Sequence, residues 1–175
     1  MRRKTDLLVH EWLVLALVAE EPRHGYAIAE LLAPEGDVGR IWRVGEPLCY
    51  RALATLERLG LVAVDAVLAG SGPPRKRYAV TALGRERLDG WLATPERRLR
   101  ELRPGLLLKL RLLERTGADR RPLLQAQRAL LIELLDDLGQ PPGDGDDTAA
   151  LLEGWRRAVG RGALAFVQER LDAEP

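Results

Sequence analysis

Cysteine, phenylalanine and methionine occur once each in this chain of 175 residues, and histidine twice. A lone Cys49 excludes an intrachain disulfide, and His10 and His24 are too few to complete a Cys/His metal cluster with it. Long apolar runs are missing as well. The longest, 12–19, falls far short of the ~20 residues a bilayer-spanning helix needs, so no membrane association is expected. The start is basic (Arg2, Arg3, Lys4), but Glu11 interrupts the apolar region behind it and no small-residue cleavage site follows. A signal peptide is therefore not expected, and the cytoplasm is the expected compartment. Paired-carboxylate motifs, a nucleophile elbow and a glycine-rich phosphate loop are all missing, so neither an enzyme nor a cofactor or metal is expected.

What is present is apolar surface and an uneven distribution of charge. Apolar residues make up 46 % of the chain and charged ones 30 %, enough for a core and for solubility. The net charge of +1 conceals two opposite segments. Residues 40–87 carry nine basic against four acidic side chains, a net +5, and residues 136–175 the reverse, a net −5. That asymmetry suits a head that binds a polyanion on a tail that does not, although two solvated faces of different composition would look the same.

Apolar spacing predicts helices over 6–20 and 24–33, separated by a break at Pro22, with Tyr26 in the core. Residues 34–45 read as a loop whose Trp42 and Val44 tuck back onto the core. A third helix is predicted over 46–60, started by Glu46 and Pro47, with Leu48, Ala52, Leu53, Leu56 and Leu59 on its buried face. A strand over 61–69, a Gly/Pro tip at 70–74 and a returning strand over 76–80 follow. Thr81 then caps a fourth helix to about residue 92, with Leu83, Leu88, Trp91 and Leu92 inward. Beyond Thr94 and Pro95 the pattern is wholly helical: 102–115 around an irregularity at Pro104 and Gly105, 119–138, a loop at 139–147, and 148–171. So much leucine in ~70 residues is hard to bury without a partner surface.

The order helix, strand, basic tip, strand over 46–80 is that of a winged helix-turn-helix, in which the third helix enters the major groove of duplex DNA and the wing meets phosphates. On that reading Glu46, Cys49, Tyr50 and Arg51 are the base or backbone readers, with Thr55 and Arg58 also on the solvent side of the helix. Arg75, Lys76 and Arg77 serve the wing, and His24, at the start of the second helix, approaches a phosphate. A single exposed arginine is usually there for solubility; a set on a helix and a hairpin tip of one fold is the stronger signal.

Three segments then resemble one family: the turn Pro22, His24, Gly25, Tyr26; the run from Leu48 to Glu57 (LCYRALATLE); and the run from Arg75 to Gly84 (RKRYAVTALG). Together they are similar to the PadR family of bacterial transcriptional regulators, over about two-thirds of the chain. The resemblance implies a homodimeric repressor on an inverted-repeat operator, released by a small, often aromatic effector, with Tyr50, Arg75 and Arg77 on the DNA backbone. This chain departs from the family where Gly45, Glu46 and Pro47 precede Tyr50. An acidic Glu46 there repels phosphate or selects a cytosine amino group.

The fold expected is mainly α: a winged helix-turn-helix domain (1–94) with a two-stranded β-wing, followed by a helical dimerisation and effector-response domain (100–175). Trp12 and Trp91 read as core packing, or as walls for a flat effector. Cys49 reads as a small inert side chain rather than a redox switch. Leu151, Leu152, Trp155, Val159, Phe166 and Val167 form an apolar face best suited to a dimer interface. The alternative function is a winged-helix docking or architectural module without sequence-specific DNA binding, favoured by Glu46 and the small net charge.

Overall fold

The computed structural model describes residues 7–69, 74–138 and 147–173, and divides into two compact units, Met1–Trp91 and Leu92–Pro175. In the first, helix α1 (Val9–Glu20) is buried on every side from Leu13 to Ala19, which makes it the central element. Its first turn is closed by the Glu11 carboxylate, which accepts the Leu8 N–H at 2.6 Å. After the break at Pro22 comes strand β1 (Arg23–His24) and then helix α2 (Gly25–Leu31). Ile28 and Leu32 are fully buried here, but Tyr26 points to solvent, contrary to the core position expected for it. In the irregular segment that follows, Val38 and Val44 are buried while Trp42 stays exposed rather than tucking in.

Helix α3 (Glu46–Arg58) has Pro47 in its first turn, where a missing N–H costs nothing. Its buried stripe is Cys49, Ala52, Leu53 and Leu56. Strands β2 (Val62–Leu68) and β3 (Arg75–Val80) form an antiparallel hairpin, and β1 pairs with the other edge of β3, giving the order β1-β3-β2. The β2–β3 hairpin is the two-stranded wing expected from sequence, and β1, which was not expected, makes the sheet three-stranded. Arg23 lies opposite Tyr78 and His24 opposite Arg77. Between Val64 (opposite Tyr78) and Ala66 (opposite Arg77) the register slips, so Asp65 is the extra residue of a bulge.

Helix α4 (Ala82–Ala93) starts at Thr81 as expected. The Thr81 hydroxyl accepts the Gly84 N–H at 3.0 Å and donates to the Gly60 carbonyl at 2.7 Å, tying this helix to the end of α3. Leu88 is buried on its inner face; Leu83 is exposed, not inward. The tip at 70–73 and the loop at 139–146 lie outside the described residues.

The second unit contains helices α5 (Leu99–Thr116), α6 (Arg121–Asp137) and α7 (Asp147–Ala173). Helix α5 contains Pro104 and begins at Leu99, three residues before the expected start. The core of this unit is Leu102, Leu106 and Leu110 of α5, Leu123, Leu124 and Leu131 of α6, and Val167 and Leu171 of α7. Among the described residues no helix is long and apolar enough to cross a membrane.

Candidate nucleic-acid interface

The solvent face of α3 is formed by Glu46, Pro47, Tyr50, Arg51, Ala54 and Arg58, with Thr55 half-buried at its border. These positions recur every three to four residues and lie on one side of the helix. Cys49 is not among them. It is fully buried on the core stripe, three residues before Ala52 and four before Leu53, so it cannot read DNA from this conformation. Burial pushes its thiol up to about 11, and the nearby Glu46 carboxylate acts in the same direction, which makes it a poor thiolate source.

Tyr50 is half-exposed, and its ring lies against the backbone of Gly25. A Cβ on Gly25 would stand 2.5 Å from Tyr50 Cε1, so the glycine at the start of α2 is what lets this ring settle between the two helices. Arg51, exposed on α3, is close enough to α1 to act on His10. Burial lowers the His10 pKa, and the Arg51 guanidinium adds to that effect against the opposing Glu11.

His24 caps α2 through Nδ1, which accepts the Ala27 N–H at 3.1 Å. In the neutral ring this places the proton on Nε2, which is then a donor. The Tyr26 ring is 6.4 Å from that of His24, and the Arg75 guanidinium lies over the Tyr26 ring, 5.8 Å from its centroid. Pairing of β1 with β3 thus brings the turn before α2 and the root of the wing into one surface. Sequence reasoning missed Tyr26 because an apolar face was assigned to it; its place two residues after the paired His24 was the signal available.

The wing cations differ in their surroundings. Arg77 donates through Nε to Asp65 at 2.7 Å, the carboxylate being aimed at it by the bulge. Lys76, on the opposite side of the strand, is 3.8 Å from Glu57 of α3. Both acidic partners went unnoticed in the sequence, because register across a hairpin is not visible in a linear charge count. Trp12 and Trp91 stack on one another with ring centroids 5.1 Å apart and planes 4° from parallel. Each already covers a face of the other, so a flat ligand would have to part them or use an outer face. In the second unit Leu151, Leu152 and Trp155 are exposed and Val159 and Phe166 partly so, but Val167 is fully buried within its own chain and leaves the expected dimer face. Its position on α7 faces α5 and α6, whose leucines fill the space around it. Among the described residues no group of three or more His, Cys, Asp or Glu could hold a metal.

A buried central helix, a helix capped by His24, a third helix with one exposed face and a three-stranded sheet define a winged helix-turn-helix domain. Residues 14–90 match the model of the transcriptional regulator PadR-like family. A protein of Mycobacterium tuberculosis described as a probable transcriptional regulator is 30 % identical over 92 residues, which cover 53 % of this chain and 46 % of that relative. The chain thus spans less than half the length of that curated relative. Bacillus subtilis PadR in complex with operator DNA is similar with a TM-score of 0.49 at 17 % identity, covering 94 % of this chain and 98 % of the other. The same protein in complex with p-coumaric acid is similar with a TM-score of 0.40 at 19 % identity, covering 93 % of each chain.

Proposed function

We propose that the chain is a cytoplasmic transcriptional repressor that binds an inverted-repeat operator as a homodimer. Helix α3 lies in the major groove with Glu46, Tyr50 and Arg51 towards base edges and backbone, and Arg75, Lys76 and Arg77 with His24 take the flanking phosphates. The observation that carries this reading is the single surface formed by the exposed face of α3, the His24–Tyr26 turn and Arg75 over the Tyr26 ring. Two such surfaces, held together through Leu151, Leu152, Trp155, Val159 and Phe166 of α7, meet half-sites about one helical turn apart. A small flat effector acting near Trp12 and Trp91 releases the DNA by separating their stack. The family description and the relative's name support regulation rather than catalysis.

The test is titration of the chain against DNA from upstream of its own gene at several salt concentrations. The expected result is a complex that outcompetes random duplex and weakens steeply with salt. In the double variant Arg51→Ala, Arg75→Ala the log–log salt slope should fall by about two and affinity by roughly 10- to 100-fold. Equal affinity for random duplex rejects specific recognition and leaves the docking module, which the acidic Glu46 at the groove end favours.

A further inference from the structure

Glu46 is the one carboxylate on the exposed face of α3. Counted in steps of four, that face has one row of Glu46, Tyr50, Ala54 and Arg58, with Pro47 and Arg51 in the row beside it. Glu46 therefore lies on the same side as the residues assigned to DNA, in the first turn of the helix. Its carboxylate is not spent within the chain. Among the described residues no hydrogen bond or ion pair engages that side chain, and Gly45 before it offers no capping group.

A bare carboxylate is poorly suited to a polyanion, and which base it meets decides the outcome. In the major groove guanine presents acceptors, thymine an acceptor and a methyl group, and adenine an amino donor beside the N7 acceptor. Cytosine presents its N4 amino donor alone. An acceptor-only side chain is thus satisfied by cytosine, and is desolvated without a partner at guanine or thymine. At adenine the N7 lone pair opposes it. An acidic first turn also suits the helix dipole, but that benefit is indifferent to the base opposite. We propose that Glu46 is the specificity-determining residue of the interface: it accepts a hydrogen bond from the N4 amino group of a cytosine in each half-site and penalises the other bases there. This assignment rests on the DNA-binding reading above and names a base which that reading leaves open. The charge that weakens binding to arbitrary DNA is then what separates the operator from it, because specificity is a difference of two affinities. Arg51, Arg58 and Arg75, all exposed, supply the base-independent attraction that offsets the charge.

The experiment uses the full chain and its Glu46→Gln and Glu46→Ala variants, each taken through enrichment of duplexes from a random pool. Position 46 is exposed, so helicity and the melting midpoint should stay close to wild type in both variants. Wild-type duplexes should share a cytosine whose replacement by 2-pyrimidinone, which lacks only the N4 amino group, lowers affinity by about tenfold or more. Glu46→Ala should bind the intact and substituted duplexes within about twofold of each other, and random duplex about three- to tenfold more tightly than wild type at low salt. Glu46→Gln should enrich adenine at that position, since an amide matches the adjacent N6 donor and N7 acceptor. Such a switch separates base reading from a role in helix stability, which would leave the selected base unchanged. Wild type that binds the intact and substituted duplexes equally overturns the assignment and leaves the DNA reading in place. A wild-type chain that enriches no duplex overturns both, and tighter binding of random duplex by Glu46→Ala would then show that the carboxylate only repels.

Discussion

At the scale of single residues, one position along a helix separates a buried thiol from a solvent-facing phenol. Cys49 and Tyr50 are neighbours in sequence, yet a step of about 100° sends one into the core and leaves the other half-exposed against Gly25. Their linear context did not reveal this, because leucine at position 48 made an equally good start to the apolar stripe. Two outcomes follow from the local chemistry. Alkylation of Cys49 by iodoacetamide at pH 8 should be about a hundredfold slower in the folded chain than in urea, the ratio of thiolate fractions for a thiol raised from 9.0 to about 11. Since the folded state holds that proton more tightly, its stabilising effect is complete below about pH 9 and is lost as pH rises towards 11. A Cys49→Ala variant followed by urea melts should lack that alkaline decline. Replacing Thr81 by alanine removes both the cap of α4 and the bond to the Gly60 carbonyl, and should cost about 1–2 kcal/mol in the same melts, with Thr81→Ser restoring most of it.

At the scale of elements, the helices and the hairpin were legible in periodicity and punctuation, but β1 was not. Two residues are too few to show a period, and a strand of that length exists only because β3 offers an unpaired edge. That pairing shapes the proposed DNA surface, since it places His24 opposite Arg77 and carries Tyr26 under Arg75. The bulge has another, because it turns Asp65 towards Arg77 and so neutralises a cation expected to face phosphate. Asp65→Ala should therefore tighten DNA binding by a few-fold at low salt and steepen the salt slope by about one, as Arg77 becomes available. The same change should alter stability by less than about 1 kcal/mol, as for other half-exposed ion pairs. Unchanged affinity with a lower melting temperature would mean that Asp65 serves the hairpin alone.

At the scale of the whole molecule, helix α7 is used in two ways along its length. Its C-terminal part, at Val167 and Leu171, completes the core of its own unit, while Leu151 and Trp155 remain 75 % and 69 % exposed near its start. So large an unpartnered apolar surface is costly in water and is the best support for self-association. Trp155→Glu with Leu151→Glu should shift the sedimentation profile from dimer to monomer while the thermal melt of the helices is retained. Val167→Asp should instead unfold the second unit, since it leaves a charge unpaired among leucines. Residue pattern alone placed these side chains on one apolar face and could not divide it, because the division depends on how far α5 and α6 reach along α7.

Sequence by itself determined the helical periods, the breaks at Pro22 and Gly60, the cap at Thr81 and the basic character of 40–87, all of which are local properties of spacing and side-chain chemistry. Only the tertiary structure decided which cations are free and which are paired, that β1 completes the sheet, and that Cys49 and Val167 are spent on cores. It also brought Lys109, Gln127 and Glu96 together. These outcomes depend on register and on contacts between residues distant in the chain, and no linear pattern encodes the distance between Gln127 and a backbone amide 31 positions before it.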